Sequence, residues 1–382
     1  MNGVFVMSIS VCMIIKNEEK RLINFFENMR DEVDEIIVVD TGSEDNSIKI
    51  CSDYANKVIS YDHFYSFSEA RNKSLEYATK DWILILDADE IILKDDMQKL
   101  KYSLDNSKYL AHRLPRYNYI GGGMWSFFDM VKVFRNNIGV KFTRDIHETI
   151  KKSLPNEIFP VMPSYIHHFI GESNLDKNKL YMKMSSEYNQ KNQNDPVSYT
   201  FLGIEYFALG MYSEALSQIE KAKIINPEAS APYYFAGFMH YKMGEYELAM
   251  SCFEKLYQIS KHQKNEEHFF DEACLGIAMC KYALNEYEIA LQYCKDAIQF
   301  DSTPAHSYIN VGRCYQALGY YEKALDSYEQ ALKMNPFLKD PSIYFPESTR
   351  KTSIYSFDNI FVQPFKGINF YIKNCQDSLN HL

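Results

Sequence analysis

The chain has 382 residues, 46% of them hydrophobic, enough for two domains of ordinary size and too apolar for wholesale disorder. Its formal net charge of -10 excludes a nucleic-acid surface, which needs a basic stripe, but leaves room for a local cationic site for phosphates. Eight cysteines without a C-x-x-C pair or zinc spacing read as buried free thiols and point to a reducing, cytoplasmic setting.

The first fifteen residues are apolar but lack a basic leading region and a small-residue cleavage site, and are too short to span a bilayer. Nothing in the chain reads as a membrane anchor. A first buried strand is expected over 8–15, followed by the polar turn Lys16-Asn17-Glu18-Glu19 and an amphipathic helix over 21–29. A second apolar strand at 35–40 ends in Asp40, and Thr41-Gly42-Ser43-Glu44-Asp45 supplies capping chemistry for a helix over 48–54. A short strand at 57–60, a helix over 68–79 and a fourth strand at 82–86 complete the alternation. Continuous apolar strands separated by single helices imply an α/β domain with a parallel sheet covered on both faces. Such sheets bind ligands beyond the carboxyl ends of their strands. Three of those ends carry polar clusters: Lys16-Asn17-Glu18, Asp40 and Asp87-Ala88-Asp89.

Asp87-Ala88-Asp89 is the most informative of the three. An ionised aspartate is costly to bury unless it is paired or metal-bound. Two carboxylates one residue apart at the mouth of a sheet suit Mg²⁺ or Mn²⁺, which take a few carboxylates plus substrate phosphates. The motif therefore suggests a nucleotide-diphosphate substrate. No glycine-rich dinucleotide or Walker loop is present, and Gly121-Gly122-Gly123 reads as a mobile loop.

VCMIIKNEE at 11–19, VVDTGSEDNS at 38–47, FSEARN at 67–72 and WILILDADE at 82–90 resemble, in order, the donor-site motifs of family 2 glycosyltransferases. The resemblance covers about the first 170 residues and implies a GT-A nucleotide-sugar-binding domain with a divalent metal, Mg²⁺ or Mn²⁺. It implies that Asp40 accepts hydrogen bonds from uracil or ribose, with the Lys16-Asn17-Glu18 turn closing around the base. Arg71 would sit near the diphosphate or Asp87; its plain alternative is an exposed salt bridge. Asp89 would be the direct metal ligand, with Asp87 bonding the ribose or, through water, the metal. His147-Glu148 resembles the His-Glu motif of a subgroup of these enzymes. This implies Glu148 as catalytic base or acceptor contact with His147 as its partner, Asp145 being the alternative base. Pairing of Glu148 with Arg144 or Arg135 is the competing structural reading. A later histidine serves many such enzymes as a third metal ligand or diphosphate contact. His168 fits the subgroup's Ile-x-His-x-Gly pattern best, but Phe169-Ile170 precede Gly171 where one residue is expected, which leaves His167 open.

The second half is a repeat. Tyr199, Leu202, Gly203, Tyr206, Gly210, Ala215, Ile219, Ala222 and Pro227 occupy tetratricopeptide positions. The pattern recurs at Gly237, Gly244, Ala249 and Phe253, more weakly at Ala278, Asn285, Ala290 and Ala297, and again at Tyr308, Gly312, Tyr315, Gly319, Ala324, Tyr328, Ala331 and Pro336. Gly203 to Gly237 and Ala278 to Gly312 are 34 apart, whereas Gly237 to Ala278 is 41, so a polar loop of about seven extra residues is expected near 261–267. The expected organisation is a glycosyltransferase domain at 1–172, a helical linker at 173–195, about four repeats at 196–338 forming an all-α superhelix, and a tail at 339–382 folded back rather than forming a fifth repeat.

This order of domains resembles the sublancin-type bacteriocin peptide S-glycosyltransferases. The resemblance implies a cytoplasmic, metal-dependent, inverting enzyme that moves a hexose from a UDP-sugar to a Cys or Ser side chain of a peptide held by the repeats, such as a bacteriocin precursor. Transfer to a glycan or cell-surface acceptor is one alternative; a catalytically inactive repeat scaffold is another. The repeats could equally serve as a buttress or a homodimer platform.

Overall fold

Apolar runs of four to seven residues, too short for stable helices, become the strands of the first half. The computed structural model describes residues 7–61, 66–121, 124–157, 159–169, 175–262, 269–299, 305–334, 336–339 and 367–381. It divides into two units, Met1–Asn118 with Phe127–Ile170 in the first and Gly171–Leu382 making up the bulk of the second.

The first unit runs β1 (Ile9–Ile15), α1 (Glu19–Met29), β2 (Glu35–Asp40), α2 (Ser47–Tyr54), β3 (Lys57–Ser60), α3 (Phe67–Leu75), β4 (Trp82–Ile85), β5 (Glu90–Ile92), α4 (Lys94–Asp105), β6 (Ala111–Gly121), β7 (Met124–Arg135) and β8 (Ile166–Phe169). Its sheet has eight strands in the order β3-β2-β1-β4-β7-β6-β8-β5. β3, β2, β1 and β4 are parallel, in the expected alternation with helices, and Ile15 pairs with Asp40 so that these two strands end level. The expectation of a parallel sheet stops at β4. β7 pairs antiparallel with it, Leu84 opposite Val133, and β5 pairs antiparallel with β8. The alternation with helices ends here: β6 and β7 follow one another with no helix between them, and sheet neighbours joined by a short connection run antiparallel to each other. Of Gly121-Gly122-Gly123, Gly121 ends β6 and the other two lie outside the described residues.

The core of this unit packs α1 and α4 against the sheet through Leu22, Phe25, Phe26, Met97, Leu100 and Leu104, all 0–1% exposed. The four-strand parallel block is thereby held firm, and the ends of β1, β2 and β4 become fixed points from which side chains can be aimed.

In the second unit α5 (Leu175–Lys191) precedes four helix pairs: α6 (Pro196–Ala208) and α7 (Tyr212–Ile225), α8 (Ser230–Lys242) and α9 (Tyr246–His262), α10 (Phe270–Ala283) and α11 (Tyr287–Ile298), α12 (Ala305–Ala317) and α13 (Tyr321–Met334). The turn within each pair places one residue in the left-handed region: Gly210, Gly244, Asn285 and Gly319, with φ of 75°, 79°, 62° and 79°. Asparagine tolerates that conformation best among residues with a side chain, which explains why the third repeat lacks the glycine. Close packing within pairs sets the small positions. A Cβ on Gly312 would lie 2.4 Å from Tyr328 Cε1, and one on Gly237 2.7 Å from Phe253. The extra loop expected near 261–267 falls largely outside the described residues. Of the tail, 340–366 also lies outside them, and α14 (Ile368–Asn380) packs on the last repeat, with Tyr371 6.0 Å from Tyr328 and under the Arg313 guanidinium. It covers an end of the array that would otherwise expose apolar surface.

Candidate active site

The polar clusters at the strand ends are built by two interlocked loops and one helix. Beyond β1, Asn17 takes φ +56° and its Oδ1 accepts the Glu44 N–H at 2.8 Å, while its own N–H donates to Ser43 Oγ at 2.9 Å. Glu18 N–H donates to Ser47 Oγ at 2.7 Å, and Glu18 pairs with Arg21. Lys16 stands exposed at the tip. These bonds clamp the β1 loop to the β2 loop. At the end of β2, Asp40 is 1% exposed, and its Oδ2 accepts the N–H groups of Gly42 and Ser43 at 3.0 Å each. Its Oδ1 is buried without a partner. A buried carboxylate oxygen in that state calls for a hydrogen-bond donor from outside the chain.

α3 organises the opposite wall. Ser66 caps it by accepting the Glu69 N–H, and the helix buries a polar face of Ser68, Arg71 and Ser74. Arg71 donates from Nη2 to Asp87 Oδ1 at 2.7 Å and from Nε to Glu148 Oε1 at 3.1 Å. Its Nη1 is buried without a partner. Burial opposes its charge, but Asp87 and then Glu148 outweigh it and hold the guanidinium pKa above its ordinary value. The exposed salt bridge weighed for Arg71 is thus not what the chain forms. Neither Arg144 nor Arg135 is the partner of Glu148; Arg71 is. Asn72, next in the helix, exchanges two bonds with the Phe142 backbone at 2.9 and 2.7 Å, and Phe67 N–H donates to the Asp145 carbonyl at 2.8 Å. Thr143 and Thr149 then pair through reciprocal backbone bonds, closing a loop in which Arg144 and His147 have φ of +78° and +53°. Two non-glycine residues in the left-handed region within five positions are strain that the surrounding bonds must hold, and such strain gathers at functional sites. Within this loop Glu148 is half-buried and Asp145 is exposed. Burial, with Arg144 nearby, pushes His147 down to about 3, so it is a neutral ring at ordinary pH.

β4 ends in the Asp87–Glu90 turn. Burial opposes ionisation of Asp87, but Arg71 holds it below the ordinary carboxylate range. The same opposition acts on Asp89, which His168 holds below that range. His168 Nε2 lies 3.5 Å from Asp89 Oδ2, and its Nδ1 lies 2.6 Å from Asn118 Oδ1. An amide oxygen at that distance makes Nδ1 the donor, which leaves Nε2 turned toward Asp89. His167 points the other way along β8: it is 2% exposed, stacks on Tyr117 at 6.2 Å and is pushed down to about 4 by burial. Of the two histidines, His168 is the one that lies beside Asp89. Asp89 and His168 offer one oxygen and one nitrogen to a divalent cation, a donor pair that fits Mn²⁺ or Mg²⁺ completed by phosphate oxygens. Among the described residues no third His, Cys, Asp or Glu joins them, and Asp87 has given Oδ1 to Arg71.

Several residues with clear roles in this architecture escaped the sequence reading. Glu90 is fully buried, with Lys132 Nζ at 2.7 Å and Arg116 Nη1 at 2.8 Å. Burial alone would raise its pKa, but Lys132 and Arg116 bring it down to about 2. Asn118, Asn72, Arg116 and Lys132 complete the set. The only signal for Glu90 was its place in the WILILDADE motif, and Lys132 lies in a segment, 131–135, that the family resemblance marks only as acceptor-side; Arg116 and Asn118 lie on strand β6, whose chemistry the sequence does not mark.

Residues 10–170 match the family model "Glycosyl transferase family 2", and residues 231–263 and 305–338 match tetratricopeptide repeat models. A TPR repeat-containing protein of Synechococcus elongatus is 35% identical over 152 residues, 40% of this chain and 38% of its own. The SPbeta prophage-derived glycosyltransferase SunS of Bacillus subtilis is 28% identical over 225 residues, 56% of this chain and 53% of its own. An uncharacterized glycosyltransferase of Rickettsia felis is 33% identical over 114 residues, 28% of this chain and 38% of its own. The chain thus spans about half or less of the length of the curated relatives it matches. Among the described residues no helix is long and apolar enough to cross a membrane.

Proposed function

We propose that this chain, a family 2 glycosyl transferase domain followed by tetratricopeptide repeats, moves a hexose from a UDP-sugar to a Cys or Ser side chain of a peptide presented by the repeats. The observation that carries the reading is the double contact of Arg71, which ties Asp87 at the end of the parallel sheet to Glu148 on the strained loop, alongside the Asp89–His168 pair. Strand ends supply a nucleotide site; a carboxylate braced against it supplies a base. SunS, similar over 56% of this chain, is a glycosyltransferase by name, which favours the same reading here.

In this reading the partnerless Oδ1 of Asp40 accepts a donor group of the uracil or ribose, and the clamped Lys16-Asn17-Glu18 turn borders the base. Asp87 bonds the ribose with its remaining oxygen. Asp89 and His168 hold Mg²⁺ or Mn²⁺, whose charge would neutralise the leaving diphosphate. Glu148, with Oε1 fixed by Arg71, takes the acceptor proton on its other oxygen as the sulfur or oxygen attacks the anomeric carbon and the carbon–phosphate-oxygen bond breaks. Neutral His147 shapes the loop rather than carrying charge. A cytoplasmic location belongs to the same proposal.

The test is calorimetric titration of the whole chain with UDP, in Mn²⁺ and again in EDTA, followed by a panel of UDP-hexoses with peptide acceptors. Metal-dependent binding and a peptide product of hexose mass are expected. No UDP binding in either condition would overturn the donor site, and transfer to a glycan but to no peptide would overturn the acceptor class.

A further inference from the structure

Glu90 is a fully buried carboxylate that does not belong to the apolar core. A buried ion pair is weak evidence for stability, since apolar residues of the same volume often serve as well. Its geometry offers another reason for its presence. Glu90 closes the four-residue turn 87–90 twice over. Its N–H donates to the Asp87 carbonyl at 3.0 Å, and its Oε2 accepts the Asp87 N–H at 3.1 Å. The same Oε2 receives Lys132 from β7 at 2.7 Å, and Oε1 receives Arg116 from β6 at 2.8 Å. Glu90 is also the register partner of His168 across the β5–β8 pair, which puts the two side chains on one face of the sheet. One side chain therefore joins the backbone that aims Asp87 and Asp89 to strands β6 and β7 and to the strand that carries His168.

We propose that Glu90 is a positioning residue for the donor site: by locking the Asp87 N–H, with Lys132 and Arg116 fixing the carboxylate in turn, it holds Asp87 and Asp89 in the orientation that receives the nucleotide diphosphate. This inference rests on the donor-site reading above. It differs from a structural role in that reach, rather than charge, decides the outcome. Shortening the side chain by one methylene keeps the charge but takes Oε2 away from the Asp87 N–H. Replacing Glu90 and Lys132 together by Gln and Met removes one buried charge of each sign while keeping an acceptor of full length.

The experiment measures UDP affinity in Mn²⁺ by calorimetry for the full chain, Glu90→Asp and Glu90→Gln/Lys132→Met, with thermal melting of each. Groups supporting a metal ligand from behind typically matter 10- to 100-fold, so Glu90→Asp is expected to weaken UDP binding at least about 10-fold while still melting cooperatively. The double variant is expected to lose several-fold less. Wild-type affinity in Glu90→Asp, or an equal loss in both variants, would overturn the proposal. Should Glu90→Asp not fold, hydrogen exchange of the Asp87 amide in the unmodified chain decides. Protection like that of the β1 and β4 amides supports the lock, and exchange at the rate of an open turn overturns it. Failure of the unmodified chain to bind UDP would count against the donor-site reading instead, and the same exchange measurement would then judge the turn alone.

Discussion

Arg71→Lys should separate the two halves of the site. The guanidinium reaches Asp87 at 2.7 Å and Glu148 at 3.1 Å from two different nitrogens, and the side chain is 8% exposed. A lysine brings one nitrogen and no planar fork, so it can serve one carboxylate at a time. The substitution therefore removes one charge-assisted hydrogen bond, of about 1.5–3 kcal/mol. Asp87 and Glu148 keep 33% and 17% of their side-chain surface, so water takes up part of the released charge and the lower end applies, about 2 kcal/mol. For a unit of this size that lowers the melting temperature by roughly 4–8 °C. The effect on turnover should be larger. Glu148 loses its brace, and small misplacements of a reacting group cost on the order of 100-fold in rate. Urea denaturation followed by tryptophan fluorescence, together with initial rates at saturating donor and acceptor, measures both. A wild-type urea midpoint with wild-type turnover would refute the bridge as the element that couples the sheet edge to the loop.

The other expectations are separate. Asp89→Ala should bring UDP affinity in Mn²⁺ down to its value in EDTA, with an unchanged circular dichroism spectrum; metal-dependent binding that survives would remove Asp89 from the donor pair. Glu148→Gln should lower kcat by about 100- to 10,000-fold while the Kd for UDP stays within about twofold, and normal turnover would place the base elsewhere. Gly312→Ala sets a Cβ 2.4 Å from Tyr328 and should destabilise the last repeat by about 1–3 kcal/mol, read as a lower urea midpoint. Acid should weaken the fold through buried histidines. His112 and His167 are pushed to about 4 chiefly by burial, below their unfolded value near 6.5, so their contribution is complete above that pH and is lost as pH falls from about 6.5 toward 4. A urea midpoint that is flat between pH 7.5 and 4.5 would contradict this.

The half of the site that lies on the parallel strands was legible because its signals are local. Asp40 and Asp87 end apolar runs, and a run of that kind reveals both the strand and which residue lies at its mouth. Helix α3 was legible as a helix, but the partners of Arg71 were not, because Glu148 lies 77 positions away and no local pattern encodes that meeting. The antiparallel side of the sheet was harder. Strand β6 reads Ala-His-Arg-Leu-Pro-Arg-Tyr-Asn, in which Arg116 and Asn118 look like solvent-facing residues. Only the fold reveals that they meet Glu90 and His168. Alternation also explains the ambiguity of His167-His168. Neighbours on a strand point to opposite faces, and the spacing to Gly171 carries no information about which face holds Asp89. In the repeats, Asn285 marked the third turn by chemistry rather than by identity, since its backbone shares the left-handed conformation of the three glycines.

The charges of the site form a pattern that bears on the cation. Glu18 has Arg21, Asp87 and Glu148 share Arg71, and Glu90 has both Lys132 and Arg116. Every one of these cations is already committed to a carboxylate. Asp40 and Asp89 have no lysine or arginine in direct contact among the described residues, and Lys16 is the one basic side chain of the expected donor set without a carboxylate partner there. A diphosphate arriving beside Asp89 would then meet an ionised carboxylate at close range, a repulsion of several kcal/mol in a partly buried setting. Arg71 Nη1 can offer its two N–H groups, but the charge of the guanidinium is balanced twice over. A divalent cation held by Asp89 and His168, as proposed above, would change the sign of that corner and turn the carboxylate from an obstacle into a ligand. The same arithmetic predicts that UDP binding should be far more sensitive to metal than binding of uridine, which carries no phosphate and touches only the Asp40 end. Equal metal dependence for the two would show that the cation acts through the fold rather than through the diphosphate.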